Sequence, residues 1–131
     1  MHARHQIASA VSCMLETLES RRLFAVSLVS GVLTVTGGAG SDVINISIGG
    51  THYNVGQNND PAQSFAVGSV DSIVLNLGDG SNWSFLHHAL DPVQINGGAG
   101  NDIVEIGIGT GMDNVQAPIT FDGGTGPDAA N

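Results

Sequence analysis

Two aspartates, Asp42 and Asp102, close nearly identical glycine turns, GGAGSD at 37–42 and GGAGND at 97–102. Glycine admits backbone angles that a side chain would forbid, so these turns can be tight. A tight turn exposes main-chain carbonyls, and an aspartate at a fixed offset adds a carboxylate beside them. Such oxygens suit a hard cation, and calcium takes six to eight of them. The same placement also lets the carboxylate cap the amides of its own turn. Both chemistries are open at any single turn. Two looser copies follow the pattern. LGDGSN at 77–82 keeps Gly78 and Gly80, has Asn82 in the aspartate's place, and carries a second acid, Asp79. GGTGPD at 123–128 keeps Gly123, Gly124, Gly126 and Asp128.

Other reactive residues lack the company that catalysis needs. His87 and His88 are adjacent, so in a strand they would point to opposite faces, whereas zinc sites use spaced ligands. They read as surface or loop residues. Cys13 has no evident partner base and, as the sole cysteine, can form no intrachain disulfide. Serine, histidine and aspartate are all present without a G-x-S-x-G elbow. The glycine turns lack the following helix of a phosphate-binding unit. The expectation is a protein that is not an enzyme.

The elements that would hold the turns are legible on either side of them. Leu33 and Val35, Ile73 and Leu75, Val93 and Ile95, and Ile119 and Phe121 stand at the same two offsets before the four turns. Each pair skips one residue, which puts both side chains on one face of a strand. After the turns, Ile44, Ile46 and Ile48 alternate with Asn45 and Ser47, and Val104, Ile106 and Ile108 alternate with Glu105 and Gly107. The unit is strand, glycine turn ending in Asp or Asn, strand, recurring at spacings of 40, 20 and 26 residues. A unit that cannot bury its own apolar face stacks on its neighbours. The expected fold is therefore all-β: a short parallel β-roll or β-solenoid with irregular coils and the turns aligned on one edge. A spacing of 20 suits one coil of two short strands. The spacing of 40 needs two coils or an inserted hairpin, and THYNVGQNNDPAQSFAVGS fits a hairpin with strands around Tyr53 and Phe65 joined by the polar loop 56–62.

Residues 1–24 differ from the rest. Ile7, Val11, Met14 and Leu18 recur at helical spacing, which predicts a short amphipathic N-terminal helix ahead of a glycine-rich domain spanning 25–131. Charge divides at the same point. The three arginines, Arg4, Arg21 and Arg22, precede Ala25; of the twelve acids only Glu16 and Glu19 do. The remaining ten acids face no lysine or arginine, within a formal net charge of −9. Such a surface repels nucleic acid and anionic lipid and gains from bound cations. No apolar run approaches the roughly 18–20 residues of a membrane span, so neither nucleic acid binding nor membrane insertion is expected.

The turns resemble the hemolysin-type calcium-binding repeat, whose nonapeptide is G-G-x-G-x-D-x-U-x with U apolar. The match covers 37–45 and 97–105, is partial at 77–85, and at 123–131 has Ala130 in the apolar position. The resemblance implies a parallel β-roll holding calcium between stacked turns. Its candidate ligands here are Asp42, Asp102 and Asp128, with Asn82 or Asp79 serving the degenerate turn. The glycines Gly37, Gly38, Gly40, Gly97, Gly98, Gly100 and Gly123 would shape the carbonyl cage. Members of that family string their nonapeptides back to back, whereas here the two best copies are sixty residues apart. A second likeness lies in LETLESRRLF at 15–24, which resembles the L-E-x-L-E-x-R-x-L-F stretch that opens many planctomycete surface and secreted proteins. It implies an extracellular or cell-surface location. The chain also ends inside a turn motif, as the opening segment of a longer array would. The combined expectation is a secreted or cell-surface structural module that folds on binding calcium. The alternatives are a calcium-independent adhesion or matrix β-solenoid, partnering itself or a surface protein, and the non-catalytic head of a larger secreted hydrolase.

Overall fold

Alternating apolar and polar residues, interrupted by glycine, favour short strands with one buried face. The computed structural model describes residues 25–58, 60–107, 114–126 and 129–130, and these form an all-β structure of eleven strands in two mixed sheets. The strands are β1 (Ala25–Val29), β2 (Val32–Thr36), β3 (Val43–Gly49), β4 (His52–Gln57), β5 (Gln63–Ala66), β6 (Ser72–Asn76), β7 (Trp83–Leu86), β8 (Val93–Asn96), β9 (Ile103–Ile106), β10 (Ile119–Asp122) and β11 (Ala129–Ala130). One sheet has the order β1-β2-β6-β8-β10 and the other β11-β9-β7-β3-β4-β5. A short 3-10 turn, Val67–Ser69, follows β5. The helix expected in residues 1–24 and the residue Cys13 lie outside the described residues, as do Ile108, Gly109 and Asp128.

The spacing of the turns is the register of the sheets. In the first sheet Leu33 lies beside Ile73, Ile73 beside Val93 and Val93 beside Ile119, all in parallel pairs. In the second, Val43 lies beside Trp83, Trp83 beside Ile103 and Ile103 beside Ala129, also in parallel. Both sheets thus step by the same 40, 20 and 26 residues. The step of 40 is absorbed by a hairpin: β3, β4 and β5 are antiparallel, with Tyr53 opposite Ile48 on one side and Phe65 on the other. The inserted hairpin expected from the sequence is therefore present. One further hairpin, β1–β2, turns at Ser30 and Gly31, both at positive φ (50° and 81°).

Inward residues of both sheets form one core. Leu33, Val35, Ile73, Leu75, Val93 and Ile95 of the first sheet are buried, as are Ile44, Ile46, Val55, Leu86 and Val104 of the second. Ile119 and Phe121, at the last level, are only partly buried against it. Burying a branched aliphatic side chain of this kind contributes roughly 1.5–3 kcal/mol. The core therefore holds consecutive levels in line and stacks the four glycine turns along one edge.

Candidate functional site

Each glycine turn joins a strand of the first sheet to one of the second: β2 to β3, β6 to β7, β8 to β9 and β10 to β11. The turns are consequently neighbours in space. The copies at 37–42 and 97–102, separated by sixty residues in sequence, flank the copy at 77–82 directly, so the separation that sets this chain apart from a back-to-back array disappears on folding. The turns approach backbone to backbone. A Cβ at Gly78 would lie 2.7 Å from the carbonyl oxygen of Gly38, and one at Gly98 would lie 2.6 Å from that of Gly78. Only glycine tolerates this approach.

The last residue of each of the first three turns faces inward. Asp42 is 7% exposed, Asn82 2% and Asp102 0%. They form a ladder. The Asp42 amide donates to Asn82 Oδ1 at 2.9 Å, and the Asn82 amide donates to Asp102 Oδ1 at 3.3 Å. Asn82 Nδ2 reaches the same Asp102 oxygen at 2.8 Å. Main-chain carbonyls continue the sheet outward: Trp83, Ile103 and Ala129 donate to the carbonyls of Asp42, Asn82 and Asp102, each at 2.9 Å. Each ladder residue thus ends a turn and starts a strand.

Asp42 is engaged at both oxygens. Gly38 N donates to Oδ2 at 2.8 Å, closing the turn from within, and Asn58 Nδ2 donates to Oδ1 at 3.3 Å. Asn58 also takes the Val43 amide on its Oδ1 at 2.9 Å, so the hairpin strand β4 sends an amide over the first rung. Asn58 is a residue that sequence reading missed. It sits at positive φ (51°) just past β4, in a polar loop whose sequence marks a turn and does not say which rung it will meet. Asp79, by contrast, is exposed, and its own turn is served by Asn82.

Asn82 carries the decisive geometry. Its Nδ2 lies 3.2 Å from Gly78 O, 3.4 Å from Asp79 O, 3.3 Å from Gly80 O and 2.8 Å from Asp102 Oδ1. Three main-chain carbonyls and a carboxylate converge on one point, as they would around a hard cation. An amide nitrogen with only two hydrogens stands at that point. The donor atoms are of the right kind for calcium, but at this turn the place is taken. At 37–42 both carboxylate oxygens already accept N–H groups. In the first two turns the side chains at the ladder position are thus already hydrogen-bonded within the protein. Among the described residues no three His, Cys, Asp or Glu side chains converge. No match is found among protein-family models, curated proteins or solved structures. The likeness of the turns to the hemolysin-type repeat rests on the turn residues themselves.

The opposite edge is closed by side chains of other types. Tyr53 is fully buried, its hydroxyl donating to Asp91 Oδ2 at 2.8 Å and accepting from Leu90 N at 2.9 Å. Burial, with Asp91 beside it, pushes its pKa up to about 12. His88 accepts the Ile48 amide on Nδ1 at 3.1 Å, and His87 stacks on Phe85 with ring centroids 6.3 Å apart. The two histidines follow β7 in a loop and diverge to separate partners, so they do not form a shared site.

Proposed function

We propose that this chain is a non-catalytic structural module of a secreted or cell-surface protein, a short parallel β-roll whose glycine corners are closed mainly by its own side chains. The observation that carries the reading is the Asn82 amide seated among four oxygens. It supplies by hydrogen bonding what a cation would supply by charge. The equal steps of both sheets support the roll, because a chain wound coil on coil must repeat the same offset in each sheet. The likeness of LETLESRRLF to a planctomycete leader supports the location. On this reading the first three levels assemble without calcium, and the module serves as a spacer or matrix element.

A second reading concerns the last turn alone. Asp102 and Asp128 are carboxylates at equivalent positions of consecutive turn motifs. Ten acids without a lysine or arginine in 25–131 favour a cation there. Calcium at that level would strengthen the end of the roll.

Circular dichroism of the full chain in chelator, then in calcium or magnesium, tests both. The expected result is a complete β-spectrum in chelator, with calcium raising the melting temperature more than magnesium does and Asp128→Asn abolishing that difference. A β-signal that appears only with calcium, and vanishes in Asp42→Ala plus Asp102→Ala, would overturn the reading in favour of ion-coupled folding.

A further inference from the structure

The outer face of the six-stranded sheet carries a row of rings in a chain that has few. Trp83, Phe85 and His87 lie along β7 and its end, alternating with inward Ser84 and Leu86. The Trp83 and Phe85 rings are 5.6 Å apart at 17°, and the Phe85 and His87 rings 6.3 Å apart at 19°. Trp83, the only tryptophan, is 43% exposed. The other described aromatics face the core: Tyr53 within it, Phe65 and Phe121 packed against it. Register sets Phe85 between Asn45 on β3 and Glu105 on β9, and Trp83 between Val43 and Ile103. Side chains at these positions share the outward face.

The chemistry of this face selects a charge. Aromatic faces carry a negative quadrupole and attract guanidinium and ammonium groups, and Glu105 adds a carboxylate beside Phe85. From residue 25 on, the chain has ten acids and no lysine or arginine, so nothing in that span can satisfy the face from within. The long-range field of the acids draws the same partners in and turns polyanions away. We infer that the Trp83–Phe85–Glu105 face is a docking surface for an arginine- or lysine-bearing polypeptide segment. A cationic side chain of the partner would lie against the exposed Trp83 ring at the end of the stack, with Glu105 pairing the partner's charge. This does not depend on whether the turns bind calcium.

Because Trp83 is the sole tryptophan, its emission reports the face directly. The full chain is titrated at low salt with a hexa-arginine peptide and, separately, with a neutral oligosaccharide. The expected result is a saturable change in emission with the peptide only, weakened by added salt. Glu105→Gln should weaken it about two- to fivefold, the range of an exposed ion pair. Asp71→Asn, an exposed acid before β6 in the other sheet, should leave it within experimental error. Trp83→Ala, followed by calorimetry, should weaken binding by about two- to fivefold, as an exposed cation–π contact does. Equal losses in Glu105→Gln and Asp71→Asn would reduce the effect to general acidity and overturn the proposal. So would a response to the oligosaccharide, no response to the peptide, or a shift produced without peptide by Arg21→Ala plus Arg22→Ala, which would assign the face to the chain's own leader.

Discussion

At the scale of single residues, the ladder position decides how a glycine corner is held. Aspartate there accepts the turn's amides, as Asp42 does from Gly38. Asparagine reverses half of that polarity and donates to carbonyls, as Asn82 does. Replacing Asn82 with aspartate would keep the shape and remove the donors, leaving a third carboxylate facing Gly78 O, Gly80 O and Asp102 Oδ1. An uncompensated buried charge costs roughly 3–5 kcal/mol, so Asn82→Asp is expected to lose about that much stability to urea in chelator. Millimolar calcium should restore much of it, because the oxygen cage would then lack its internal amide. Asn82→Ala should lose about 1–3 kcal/mol, the cost of orphaned buried acceptors, with no calcium rescue. Equal behaviour of the two variants in calcium would show that the cage does not accept a cation. The sequence disclosed which residues stand at the ladder, because glycine spacing marks them. It did not disclose that the asparagine amide would sit among four oxygens, since that depends on carbonyl directions that only the folded turn sets. Asp79 and Asn82 were equal candidates for the middle turn for the same reason.

At the scale of elements, the turns stack so closely that equivalent glycines have unequal roles. Gly80 has φ of 90°, and a Cβ there would lie 2.8 Å from both the carbonyl carbon and oxygen of Gly40. Gly40 has no such φ, and a Cβ there would meet nothing within 4 Å. Left-handed backbone costs a non-glycine residue about 1–2 kcal/mol before any clash. Gly80→Ala should therefore destabilise by at least about 2 kcal/mol, while Gly40→Ala should be neutral or gain a few tenths from a less flexible unfolded chain, up to about 1 kcal/mol. Chemical denaturation of both variants checks this, and similar losses would mean that the turns do not stack as described. Strand pairing was legible because the residues before each turn repeat at matched offsets, and those offsets became the register. The β4–β5 hairpin was legible from its polar loop between apolar runs. The β1–β2 hairpin was passed over, although its signal is present. Inward residues shift from even positions, Val26 and Leu28, to odd ones, Leu33 and Val35, across Ser30 and Gly31. An alternating run on both sides of a two-residue turn reads as one strand unless that change of parity is noticed.

At the scale of the whole molecule, charge opposes what packing and the ladder assemble. The span from Ala25 onward cannot neutralise its acids with lysine or arginine, so its compact form carries self-repulsion that the unfolded chain relieves by expanding. Some acids have been made useful, as Asp42 and Asp102 are in the ladder and Asp91 is at Tyr53. Asp60, Asp71, Asp79 and Asp122 remain exposed and mutually repulsive. Salt shortens the reach of that repulsion from about 30 Å at 0.01 M to about 8 Å at 0.15 M. The melting temperature of the full chain should rise over that range in sodium chloride. A shift of 1 kcal/mol corresponds to roughly 4–8 °C for a domain of 60–100 residues, so even a modest relief is measurable. Magnesium chloride at matched ionic strength should do the same. Calcium should exceed magnesium only by what one end site contributes, about 2.7 kcal/mol at a hundredfold excess over its dissociation constant. A calcium effect several times larger would require ions at every rung, and the Asn82 amide would then have to give up its place. A melting temperature that falls with sodium chloride would mean that attractions, and not repulsion among acids that no lysine or arginine offsets, dominate the folded charge.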